Sequence, residues 1–93
     1  MSSSSWSYAR PQFNETFERW LATGADAGSQ RVVHEALMDL ISDPLRWAEE
    51  ETEHPRIRFR MLHTASGRRI GVLYVIDEPA TRIVNLIDIW TES

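Results

Sequence analysis

The spacing of apolar residues changes period along this chain, and the change divides it into a helical part and a strand part. Phe13, Phe17, Trp20 and Leu21 recur at the spacing of one helix face. Pro11 suits the start of that helix and Gly24 its end, with residues 24 to 28 as a loop. Ser29 stands where it can cap a second helix. Val32, Val33, Ala36, Leu37, Leu40 and Ile41 then form an i, i+3, i+4, i+7 stripe, and Asp43-Pro44 terminates it. Two helices joined by so short a loop predict a helical hairpin. Ahead of them, residues 6 to 10 read as a short first strand.

From Arg56 the period shortens to two. Arg-Ile-Arg-Phe-Arg-Met alternates cation and apolar residue, the pattern of a half-buried strand. The expectation is that Ile57, Phe59 and Met61 face the core. Arg56, Arg58 and Arg60 then point away from it, about 6.6 Å apart. Residues 69 to 76 are nearly all apolar and predict a central strand covered on both faces. A turn containing Pro and Asp spans 77 to 81, and 82 to 90 form the last strand. The short connections make these three strands an antiparallel meander. The order is β-α-α-β-β-β, an α+β fold in which a helical hairpin packs on a small antiparallel sheet. Residues 1 to 5 read as a disordered tip and 6 to 93 as a single domain.

Composition narrows the chemistry. Cys is absent, which excludes a disulfide, a thiolate nucleophile and a thiolate metal site. His34, His54 and His63 do not stand at metal-ligand spacing from one another, so neither a metal nor a cofactor is expected. Gly24 and Gly28 lack the strand–loop–helix setting of a phosphate loop. No run approaches the roughly 18 apolar residues of a membrane span, and the Ser-rich start has no secretory character; the reading is cytoplasmic.

All ten cations are Arg, and the net charge of −4 argues against general nucleic-acid affinity. The charge is uneven, however. Residues 1 to 54 hold ten acids against four Arg, whereas residues 55 to 93 hold four acids against six Arg. The row Arg56, Arg58, Arg60 is therefore a basic strip on an acidic protein, suited to phosphate or carboxylate. The acidic run at 49 to 53 reads either as a solvated edge or as a contact for that strip. Trp20 and Trp47 fit core positions. Trp6 and Trp90, at strand ends, either cap the core or form a contact surface for a protein partner.

Four features combine into a recognisable whole. They are the aromatic-led start Trp6-Ser-Tyr8, the second helix ending Leu40 to Pro44, the cation-alternating strand from Arg56 to Arg60, and Gly-Arg-Arg-Ile-Gly-Val-Leu-Tyr-Val-Ile-Asp at 67 to 77. Over residues 6 to 90 the chain resembles the RelE/ParE/HigB superfamily of toxins from bacterial toxin–antitoxin pairs. The resemblance implies a toxin held inactive by a cognate antitoxin, alone as a homodimer or joined with the antitoxin in a heterotetramer. It implies an endoribonuclease that cuts mRNA on the ribosome, an mRNA interferase, as the leading reading, with a ParE-like inhibitor of DNA gyrase as the alternative. The chain ends Asp88-Ile-Trp90-Thr-Glu-Ser93 without the Tyr, His or Lys with which the RNA-cutting members finish. A third reading is thus a non-catalytic protein-binding module on the same fold.

For RNA cleavage the resemblance places Arg58 and Arg60 on the paired cations of the first basic strand, with Arg69 as a further carry-over. A pentavalent phosphate needs such cations, and His63 is the residue able to move a proton near neutral pH. Arg56, Arg68, Arg82 and Trp90 complete the set as contacts to RNA or antitoxin.

Overall fold

The computed structural model describes residues 5 to 48, 50, 51 and 56 to 92. Most of the expected N-terminal tip, His54 and the side chains of the acidic run at 49 to 53 lie outside the described residues. The chain runs through β1 (Ser7–Tyr8), α1 (Gln12–Leu21), α2 (Ala27–Ser42), the single turn α3 (Pro44–Trp47) and β2 (Glu50–Glu51). It continues with β3 (Ile57–His63), β4 (Arg69–Val75), a 3-10 turn (Pro79–Thr81) and β5 (Ile83–Glu92). The architecture is α+β. The sheet has the order β1-β5-β4-β3-β2. Strands β3, β4 and β5 form the expected antiparallel meander, and β1 joins β5 in parallel, which makes the sheet mixed.

Helix α1 ends at Leu21, before the expected Gly24, and the start of α2 also differs from expectation. Asp26, not Ser29, caps α2. Its backbone is extended, and Oδ1 accepts the Ser29 N–H at 2.7 Å. Asp thus satisfies one of the orphan donors of the first turn, the usual role of an Asp N-cap. The same N–H bond holds the Asp26 carboxyl below its ordinary value. Ser29 is buried in that first turn.

The core explains the rest. Trp20, Val33, Leu37 and Leu40 come from the helices; Ile70, Val72, Tyr74, Ile76, Val84, Leu86 and Ile89 come from β4, β5 and the residue after β4. Helix α1 lies along β5 and α2 beside β3, so both helices cover the same sheet face, each against its own strand. Trp47 closes the core from α3, its ring centroid 5.9 Å from that of Tyr74. No helix among the described residues is long and apolar enough to cross a membrane.

Both tyrosines are tied into this core. The Tyr8 hydroxyl donates to the Leu37 carbonyl, and the Tyr74 hydroxyl donates to the Pro44 carbonyl at 2.6 Å. Burial pushes the Tyr74 phenol up to about 12, and burial together with the Tyr74 charge pushes the Tyr8 phenol up further. A folded-state value above the unfolded one, about 10, means that the native state keeps protons the unfolded chain has released. Stability from these groups is therefore complete below pH of about 10 and is lost as pH rises from there towards 12. Since the chain has only two Tyr, phenolate absorbance should show no step near pH 10. Instead it should rise cooperatively at higher pH, together with the loss of circular dichroism. A smooth titration centred near 10 would contradict the burial of both rings.

Candidate functional site

The pairing register decides which side chains share a face. In β3 and β4, Arg58 lies opposite Tyr74, Arg60 opposite Val72 and Leu62 opposite Ile70. Directly paired residues point to the same side, and Ile70, Val72 and Tyr74 are the row under the helices. Arg58 and Arg60 are therefore on the helix-bearing face. This reverses the expectation that they point away from the core, with Ile57, Phe59 and Met61 facing it.

The physical reason lies in α3. This one-turn helix leaves carbonyls without partners at its end, and two arginines supply the donors. Arg58 Nη1 donates to the Leu45 carbonyl at 3.0 Å, and Arg60 Nη1 to the Trp47 carbonyl at 3.2 Å. The Arg60 guanidinium also stands 5.1 Å from the centre of the Trp47 ring, a cation–π geometry. Both residues are half-buried, a position that suits an apolar stem with a charged end. The two arginines thus staple α3 to the sheet. Arg56, exposed just before β3, also makes an interaction of its own.

The opposite face is a lattice of rows across β3, β4 and β5. The first row is His63, Arg69, Glu92; the next Met61, Gly71, Trp90; then Phe59, Leu73, Asp88; then Ile57, Val75, Asn85. A bulge at β5 inserts Ile87 between the last two rows. Ile57, Phe59, Met61, Leu73, Val75 and Trp90 are all half-buried here. The central strand is consequently covered by helices on one face only, not on both.

Trp90 lies on this open face and not over the helix–sheet core. Its indole rests on Gly71, where a Cβ would come within 2.2 Å of it. Trp6 does pack against the core, and Arg82, in the left-handed conformation at φ 58°, stacks its guanidinium 5.3 Å from the Trp6 ring centre.

The remaining predicted site residues are spread out. Arg69 Nη1 pairs with Glu92 Oε1 at 3.2 Å in the first row, beside exposed His63. Arg68 Nε lies 3.6 Å from Asp26 Oδ2 and ties the β3–β4 turn to the start of α2. Both pairs are largely exposed and contribute little stability. Arg58 and Arg60 are thus separated by the sheet itself from His63 and Arg69, and one phosphate cannot touch both sets. Among the described residues no group of three His, Asp or Glu is arranged to hold a metal ion.

Two functional features went unread in the sequence. The alternation of residues 57 to 63 already places His63 on the face opposite Arg58 and Arg60, whichever face that is. An isolated Gly inside an apolar strand, here Gly71, signals close approach of another group. Compared with known proteins, the chain matches no family model, no curated protein and no solved structure.

Proposed function

We propose that this chain is a RelE/ParE-like toxin of a toxin–antitoxin pair that acts by binding another protein, in the manner of gyrase-inhibiting members, and not by cutting mRNA. The observation that carries this reading is the division of the candidate catalytic residues. Arg58 and Arg60 donate to the carbonyls of α3 on one face, whereas His63 and Arg69 sit on the other. A cleavage site needs the proton-moving group and the phosphate-holding cations around one reacting atom. The open face supports binding instead. Phe59, Leu73, Met61 and Val75 form a half-buried apolar strip, flanked by the charged row at His63. An apolar centre with a charged rim is the make-up of a protein interface.

Inducible expression in a bacterial host tests the reading, scoring growth, protein synthesis and cell shape. The expected result is arrest with filamentous cells and with translation continuing at first. Phe59→Ser should relieve the arrest, while Arg58→Ala combined with Arg60→Ala, if folded by circular dichroism, should retain it. Prompt loss of translation with cleaved mRNA, dependent on the two arginines, would restore the mRNA interferase reading. Normal growth with soluble protein would leave a binding module without toxicity.

A further inference from the structure

The outer edge of β5 presents backbone groups that no strand among the described residues takes up. On its inner side β5 pairs with β4 from Asn85 to Glu92. On its outer side it pairs with β1 only at Ile83 and Val84. There the Arg82 and Val84 carbonyls accept from the N–H groups of Ser7 and Ala9, at 2.9 and 2.8 Å. The next outward carbonyl, that of Leu86, is closed off by the Thr16 hydroxyl of α1 at 3.1 Å. Beyond it the bulge adds one residue, so the outward backbone groups pass to Ile89 and Thr91. Among the described residues, no strand pairs with this stretch.

A cleft of about 370 Å³ lies alongside it. Its walls are Arg19 and Trp20 of α1, Thr23 in the turn after it, and the four consecutive residues 88 to 91 of β5. Successive strand residues point to opposite faces, so a space touching all four lies beside the strand, at its edge. Trp20 and Ile89 make the floor apolar, and the Trp20 Nε1–H is already used by the Thr91 hydroxyl at 2.9 Å.

We infer that this cleft receives an extended segment of a partner protein, which adds to β5 as a further strand next to α1. Chemistry selects the occupant. A row of alternating donors and acceptors along a strand edge is matched by another extended backbone. Arg19 and Asp88, of opposite sign, flank the cleft, so it carries no excess charge that would favour a nucleic acid. The open stretch, Ile87 to Glu92, is about 20 Å long. The added segment presents an apolar side chain to Trp20 and Ile89 on the helix side, and its neighbouring residues point towards Trp90 and Asp88. This inference concerns the edge of the sheet and does not rest on the function proposed for its open face.

The test uses the full chain and peptides selected against it from a random displayed library. The selected peptides should share an alternating pattern with one apolar anchor. Their binding should protect the amides of Ile89 and Thr91 from hydrogen exchange. Thr23→Trp, which fills the cleft from the exposed turn after α1, should weaken binding about tenfold or more, while Phe59→Ser should leave it unchanged. Because the amide readout uses the wild-type chain, it stands even if Thr23→Trp fails to fold. Three results would each overturn the inference: no selected binders, binders whose protection maps to Phe59 and Leu73, or a wild-type chain that dimerises through this edge and dissociates on Thr23→Trp.

Discussion

Trp47→Ala is expected to lower the unfolding free energy by about 3–5 kcal/mol, the usual cost of truncating a buried Trp. For a domain of this size that is a large part of a total of about 5–15 kcal/mol. The expectation rests on what the ring holds together. Trp47 is 8% exposed, touches the Tyr74 ring in the core and carries the Arg60 guanidinium on its outer side. Its removal opens a cavity beneath α3 and loosens the carbonyls to which Arg58 and Arg60 donate. The denaturant midpoint measures this, with Arg60→Ala as the comparison. The arginine variant removes the stacking on Trp47 and the bond to its carbonyl but leaves the core filled, so its cost should be the smaller. Equal costs would mean that α3 is held by charge and not by the buried indole.

Gly71→Ala should destabilise the fold by about 1–3 kcal/mol, although alanine is ordinarily the better strand residue. The added Cβ would meet Trp90 at 2.2 Å from Cζ2 and 2.3 Å from Cε2. Either the indole swings off the sheet and exposes apolar surface, or the β4–β5 pair deforms. The decisive measurement is a double-mutant cycle with Trp90→Ala. In that background the clash is gone, and Gly71→Ala should be neutral or mildly stabilising, giving a coupling of about 1–3 kcal/mol. Additive effects would show that the indole does not rest on Gly71. The same cycle reports on the open face, since Trp90 is its largest side chain.

Much of the fold was legible because local chemistry repeats in the sequence. The stripe from Val33 to Leu40 could only be a helix face, and all four of its inner residues are buried. The run from Ile70 to Ile76 marked the central strand, which β4 is. The start of α2 was misplaced because Asp26 and Ser29 are both good caps. The choice fell to Asp26, whose extended backbone lets the carboxylate reach the first-turn amide.

The candidate site was far less legible. A period of two shows that Arg58 and Arg60 share a face and that His63 and Phe59 share the other, but it does not say which face is which. What decided it is the register set by the Thr64–Arg68 turn. That register lays Arg58 beside Tyr74 and Arg60 beside Val72, in the row the helices cover. Arginine tolerates the position because its stem is apolar and its head finds the unpaired carbonyls of α3. The sequence by itself determined the helices, the strands and the division of β3 into two sets of side chains. Only the tertiary structure decided which set lies under the helices, because burial and carbonyl pairing are settled by residues far apart in the chain.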